Sequence, residues 1–519
     1  MLSRRTGRGR AVMPHAAGAV LALAAAVVVG TASCTGAAPH DPAPPVPQAP
    51  RTRSPASATS VLTGTADVIA DEVAARLFTS SPVVVVARPD PSADLAAARA
   101  ALRAHAPVLL TSAPSNLFSG TATVVSAMLR AQLRALDPRA VLAVGVAAKV
   151  LATQLPGVRV VTDPALLPAT KAPAPLDHVA LLVHPGQGDA ATLAAVSTAQ
   201  VAGAHVIAVS GNDPRADPAA ISALSALRPQ QVLAIGSGFG PAARLASRIA
   251  VAQTGVQLPG GGQVLFPSHL LVALYGHPYA PSLGVLGQQG LSASIARAKS
   301  VAAQYRSLSH ARVVPAFEII ATVAQAHAGP DGEYSYESPV SLLRPWVRQA
   351  TAAGLYVILD LQPGRASLLA QAERYQSLLE RPDVGLALDA EWKLAPDQLP
   401  LQQIGSVSAS EVNSVIRWLA GLTARYRLPQ KLLVLHQFRL SMIGDEHKLD
   451  VRYDDLAIVI HMDGQGTPGD KEQTWEAVTG AAPAGVFFGW KDFYVKDHPM
   501  MGPQQTISRT PRLSMISYQ

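Results

Sequence analysis

From about Val61 onward, short continuous apolar runs alternate with alanine-rich stretches, and the order of these segments repeats. Apolar residues 83–88 are followed by a helical stretch over 94–105, a run at 108–111, a second helical stretch and a run at 141–145. The same order returns with 179–184, a helical stretch over 189–202, a run at 206–210, another helix and a run at 232–236. Matching runs are offset by 96, 98 and 91 residues, so an internal duplication accounts for them. Up to their last residue the runs are apolar at consecutive rather than alternate positions, as expected of strands covered on both faces. Helices of about a dozen residues between them predict parallel α/β sheet.

A second set of runs begins after Pro259-Gly260-Gly261-Gly262, a strong punctuation that sets a domain boundary. Here each run leads into polar residues. Residues 271–275 lead into Gly276-His277-Pro278, 313–317 into Glu318, 356–359 into Asp360, and 384–388 into Asp389-Ala390-Glu391-Trp392. Further on, 432–435 lead into His436-Gln437, 456–460 into His461-Met462-Asp463, and 486–488 into Trp490-Lys491-Asp492. In a (β/α)8 barrel the C-terminal strand ends converge on one face, and that face carries the chemistry. An open sheet would string the same residues along a line. The expected fold is therefore α/β: a duplicated parallel α/β repeat domain over 61–258, then a (β/α)8-type barrel over 264–519. A run at 513–518 either closes the barrel or leaves it incomplete.

The first unit reads strand, Asp-containing turn, Ala-rich helix, "PVLLT", helix, "VLAVG". That order resembles the cell wall-binding repeat type 2 domain, over about Gly64 to Gln257. The Asp-Arg-Tyr start common in that family is missing, and two copies stand where three are usual. The resemblance implies a cell-wall polysaccharide as partner. The turn Gly236-Ser237-Gly238-Phe239-Gly240 lacks the full dinucleotide fingerprint and a following acidic residue, so no cofactor is expected.

Within the barrel the sharpest motif is Leu388-Asp389-Ala390-Glu391-Trp392. Strand alternation puts Asp389 and Glu391 on one side, and a carboxylate beside a carboxylic acid keeps one of them protonated near neutrality. Cleavage of a glycosidic bond by general acid needs such a group. The segment resembles the fourth-strand signature of chitinase-like glycoside hydrolases of family 18, which ends Asp-x-Glu; the two earlier acidic positions of that signature are Ala387 and Val384 here. The resemblance implies Glu391 as proton donor, Asp389 as the group orienting a substrate acetamide, and Trp490 as a sugar platform. Asp360 completes the expected catalytic set, with Glu318, His436, Asp463, Trp490, Asp492 and His277 around the substrate. Duller roles are open to each: Asp360 and Glu318 as partners of Lys491 or Arg365, and the histidines as hydrogen-bonded core. His436, His461 and Asp463 are zinc-type ligands, but without compact His-x-x-x-His spacing no metal is expected.

The N-terminus changes the picture of where this chemistry would act. Arg4, Arg5, Arg8 and Arg10 precede an apolar stretch at 17–30 and then Thr31-Ala32-Ser33-Cys34. That order predicts a secretory signal over 1–33, shorter than the roughly 20 apolar residues of a membrane span. A small-residue run ending on cysteine resembles the lipobox of bacterial lipoproteins, with Thr31 in place of the usual leucine. It implies that Cys34, the sole cysteine, carries a lipid that anchors the chain to the outer face of the cell membrane. One cysteine allows no internal disulfide. Residues 34–60, dense in Pro, Ala, Ser and Thr, read as a tether. Without the four signal arginines the formal charge of +7 falls to +3, which makes no case for nucleic acid. Two functions follow as expectations: an envelope-anchored glycan hydrolase, or a non-catalytic carbohydrate-binding surface lipoprotein. A transporter-feeding binding protein fits less well, because the duplicated half is followed by a long further domain.

Overall fold

The structure is a computed structural model that describes residues 46–112, 125–186 and 188–519. The expected signal, Cys34 and the first part of the expected tether lie outside the described residues. Among those described, no helix is long and apolar enough to cross a membrane.

The N-terminal lobe contains two four-stranded parallel sheets. Its strands are β1 (Thr59–Leu62), β2 (Val83–Ala87), β3 (Val108–Leu110), β4 (Ala140–Val144), β5 (Arg159–Val161), β6 (Val179–Val183), β7 (His205–Ala208) and β8 (Gln231–Ile235). One sheet runs β3-β2-β4-β5, the other β7-β6-β8-β1. The two orders are the same, as the duplication requires, except that the fourth strand of the second sheet comes from ahead of the first unit. Residues 59–60 therefore belong to a sheet and not to a tether, and Arg51–Thr52 also pairs, antiparallel, with Phe78–Ser80. The β2 residues are buried at every position because both faces are covered: Val84 and Val86 share one core with Leu181 and Leu233, while Val83 and Val85 pack with Ala97 and Ala101 of the next helix. Aspartates in the strand-to-helix turns act as N-caps. Asp90 accepts from the amide of Ala93, Asp189 from Thr192 and Asp217 from Ala219.

The C-terminal domain is a closed barrel of eight parallel strands in sequential order. They are β9 (His269–Gly276), β10 (Arg312–Ala324), β11 (Tyr356–Leu361), β12 (Val384–Asp389), β13 (Lys431–Gln437), β14 (Leu456–Met462), β15 (Phe487–Asp492) and β16 (Leu513–Tyr518). The 513–518 run does close the barrel: β16 pairs with both β15 and β9, and β9 pairs in turn with β10. Alternation sorts each strand. Leu271, Ala273, Val314, Ala316, Tyr356, Ile358, Ala387, Leu432, Val434 and Val459 fill the interior. Their neighbours Val272, Phe317, Val357, Leu386, Leu433 and Ile458 pack outward on the helices. Helix Ala409–Arg425 is capped by Ser408, which accepts from the amide of Glu411. The Glu411 carboxylate does not complete a capping box; it turns to Lys393, 3.4 Å away.

The boundary after residue 258 is a plug rather than a loose linker. Gly260, Gly261 and Gly262 hold φ of 91°, 89° and 79°, a left-handed run open only to glycine. Leu258, Leu265 and Phe266 then pack into the barrel interior. Buried Gln263 donates to the carbonyls of Val251 (3.0 Å) and Val256 (2.7 Å), tying the last lobe helix to this turn. Charged contacts add to the join: Arg215, 2% exposed, meets Asp213 at 2.9 Å and Asp454 at 2.7 Å, and Arg248 reaches Asp454 at 2.7 Å. Asp454 precedes β14, so the lobe grips the N-terminal end of the barrel and leaves the opposite face free. Removing one member of a buried ion pair costs about 3–5 kcal/mol. Because Arg248 still partners both aspartates, Arg215→Ala is expected to lower stability by about 3 kcal/mol in urea unfolding; no measurable change would mean the clamp does not hold the two parts.

Candidate active site

Alternation decides which strand-end residues meet. Tyr275, Glu318, Asp360, Gln362, Asp389, His436, His461, Asp463, Lys491 and Ser517 continue the inward-facing series of their strands. Trp490 and Asp492 belong to the outward series. Two of the expected substrate contacts are thereby corrected. Trp490 is fully buried among Trp475, the Arg509 guanidinium 3.5 Å above its ring and Lys471, so no sugar can stack on it. Asp492 accepts from the Trp490 indole at 2.7 Å and from the Thr506 hydroxyl at 3.0 Å, which makes it part of the barrel wall. A third, His277, hydrogen-bonds Ser338 at 3.2 Å and the amide of Tyr279 at 3.2 Å and does not reach the cavity.

The inward groups form a cavity of about 300 Å³, lined by Asp389, Glu391, Asp463, Lys491, Tyr275 and Trp392, among others. Glu391 sits not on the strand but on the 3-10 turn Ala390–Trp392 that follows it. That turn is fixed by a 2.7 Å hydrogen bond from the amide of Gly405 to the Glu391 carbonyl. Glu391 and Trp392 also line an adjoining groove with Leu394, Leu401, Ile404 and Arg439. The carboxyl thus lies where a closed cavity meets an open groove.

Glu318, Asp360 and His436, expected around the reacting groups, lie fully buried beneath the cavity floor instead. His436 Nε2 is 2.9 Å from Glu318 and 3.8 Å from Asp360, and Nδ1 is 3.2 Å from Asp463. Neither Glu318 nor Asp360 pairs with Lys491 or Arg365; Asp360 instead accepts from the Tyr275 hydroxyl at 2.8 Å, which itself accepts from Gln362 at 3.2 Å. Asp360 is in register with Ala387 on the neighbouring strand. His461 packs 5.1 Å from His436 and shares a 3.2 Å hydrogen bond with Ser517. Gly489 makes room for it, since a Cβ there would fall 2.5 Å from the His461 ring. Among the described residues no group of three or more His, Cys, Asp or Glu is arranged to hold a metal ion.

Electrostatics separates the carboxyls by role. Burial disfavours the charge on Glu391, and nearby Asp463 disfavours it further, which pushes its pKa up to about 7. Asp389 is raised well above the carboxylate range by burial and by Glu391 and Asp360. Neither side chain accepts a hydrogen bond from a described residue, and Asp389 Oδ1 is buried without a protein partner. Burial would also raise Asp463, but contact with His436 outweighs it and holds Asp463 below its usual value. His436 itself is raised well above normal despite its burial, by the charges of Glu318 and Asp463. Burial and the His436 charge drive His461 well below normal, which leaves it neutral.

Sequence reasoning missed Tyr275, Gln362 and Lys491 as cavity groups, although counting in twos from Leu271, Ile358 or Phe487 reaches all three. No protein-family profile matches the chain, and no curated protein does. Among solved structures, a hyperthermophilic endo-beta-1,4-glucanase in complex with substrate is similar, at 10% identity over 39% of this chain and 76% of that one. Its TM-score of 0.23 is too low to add to what the strand pairing shows.

A carboxyl whose folded pKa lies above its ordinary 4.5 stabilises the fold below that value and loses this contribution as pH rises through about 7. Glu391→Gln has no such loss. It should match the parent's stability near pH 4 and exceed it above pH 8, by about 1 kcal/mol or more after allowing for partial exposure. Parallel unfolding curves at both pH values would contradict the raised pKa.

Proposed function

We propose that the barrel hydrolyses a glycan, with Glu391 as the general acid. The observation that carries this reading is the pairing, on one cavity, of a carboxyl with pKa near 7 and an ionised carboxylate, Asp463. Environments that push two carboxyls apart in this way assign the acid and the charge-stabilising group. One sugar unit fits the cavity and the leaving portion of the chain extends along the groove over Trp392, which puts the scissile oxygen at Glu391. Glu391 gives its proton to that oxygen as the bond to the anomeric carbon breaks. The positive charge developing on the sugar ring faces Asp463, held in place by His436 with Glu318 behind it. Water adds to the anomeric carbon, and a proton returns to Glu391. Asp389, protonated and free of protein partners, donates to a substrate oxygen such as an acetamide or hydroxyl.

Around this domain we infer an exported lipoprotein, with Cys34 acylated and the two α/β units resting on cell-wall polysaccharide. The arginine-rich start, the apolar stretch and the small-residue run before Cys34 support it. Incorporation of labelled fatty acid that persists in Cys34→Ser would refute the anchor.

General acid catalysis contributes about 10²–10⁴-fold. Glu391→Gln should therefore cut reducing-end release from chitooligosaccharides or purified envelope polysaccharides by that factor, with substrate affinity kept within a few-fold. Turnover should also fall as pH rises through about 7, where Glu391 loses its proton. Binding without release from any glycan, unaltered by Glu391→Gln, would make the barrel a carbohydrate-binding domain instead.

A further inference from the structure

Two lysines face the cavity without a carboxylate at ion-pair distance. Lys491 is 3% exposed on β15, and its ammonium sits 3.5 Å from the centre of the Tyr275 ring and 5.4 Å from that of Phe493. Lys496 lies at the exposed rim, 5.9 Å from the same Phe493 ring, and lines the same cavity. Among the described residues neither has a carboxylate within the 4.0 Å of an ion pair, and neither donates a hydrogen bond to the protein. Lys471, on the helix Pro468–Ala481 packed outside the barrel, shows the contrast: it is just as buried, but it bonds Asp497 and lies 3.7 Å from Asp492.

Buried over most of its length, Lys491 opens its ammonium only onto the cavity, where an anion would find it without an ion-pair partner. Face contact with Tyr275 offsets part of the loss but satisfies none of the three N–H donors. The carboxylates nearby do not supply the balance. Asp463 is engaged by His436, and burial raises both Asp389 and Glu391. Three acidic residues line the cavity with the two lysines, and none of them lies within ion-pair distance of either.

Resting on the hydrolase reading above, we propose that the glycan it takes is acidic, with a sugar-borne carboxylate seated between Lys491 and Lys496. Gln465 and Gln519 line the same cavity and add polar groups for the neighbouring hydroxyls. No arginine lines the cavity, so the fork that suits phosphate is absent. A uronic acid or a lactyl-ether sugar has the required group.

The test is calorimetric binding to the full chain of an alternating N-acetylglucosamine–glucuronate oligosaccharide, before and after chemical reduction of its carboxyls. A charge-assisted contact predicts about tenfold tighter binding of the acidic form, with the advantage shrinking at high salt. Lys496→Gln, a rim substitution that leaves the core intact, should remove most of that advantage without weakening the reduced form, and Lys491→Gln should remove the rest. Equal affinity for both forms, or no binding of either, overturns the proposal. The two readings fail separately. Glu391-dependent cleavage of neutral chitotetraose with no acidic preference would leave the hydrolase and sink the acidic substrate. An acidic preference lost in Lys496→Gln, with turnover indifferent to Glu391→Gln, would do the reverse.

Discussion

One imidazolium holds the upper half of the barrel together. His436 lies wholly out of water with Glu318, Asp360 and Asp463 around it. Three carboxyls buried that closely would repel one another or take up protons if the ring were absent. With the ring charged, Asp463 stays ionised at the cavity surface and Asp360 need only be partly so, its pKa pushed up to about 6 chiefly by burial. That balance has further requirements. His461, next to His436, has to be neutral, and it can fit there only because position 489 lacks a side chain. Lys491 has to look elsewhere for an anion. Such a set is also unforgiving, because a half-satisfied buried network is less stable than an apolar core.

The barrel separates this electrostatic layer from the layer that keeps it folded. Below the charged groups the interior is Leu, Val, Ile and Ala with Tyr356 across the middle, and Leu258, Leu265 and Phe266 close the far end. The lobe attaches at that closed end through Arg215, Arg248 and the Gln263 turn. The face that carries the cavity is thus left with few constraints from the lobe, on the side where barrels of this kind hold their sites.

Much of this was legible because the physics behind it is local. Continuous apolar runs give parallel strands, aspartates before alanine-rich stretches give capped helices, and three glycines in a row give a left-handed turn. The polar ends of seven runs pointed to the right face of the right fold. What was not legible depended on pairing at a distance. Residues 59–60 look like the end of a proline-rich tether, and only the edge of the second sheet makes them part of a strand. Arg159–Val161 was invisible for the same reason. The site itself was misjudged in one respect that needed no coordinates. Trp490 and Asp492 share a parity that faces helices, while Lys491 between them faces the cavity. Glu391 reached its expected place by a different route, through a 3-10 turn and not along the strand.

The position of β1 has a mechanical consequence. This strand precedes the first α/β unit in the chain yet lies at the edge of the second unit's sheet, parallel to β8. The two units are clasped: cutting the first away at the repeat boundary takes the edge strand of the second unit's sheet with it. Tension entering from the N-terminal side and resisted at the C-terminal side would load β1 and β8 in opposite directions along their length. Their hydrogen bonds would then be sheared together rather than peeled one at a time, and a fold held in shear resists pulling far longer than one that unzips.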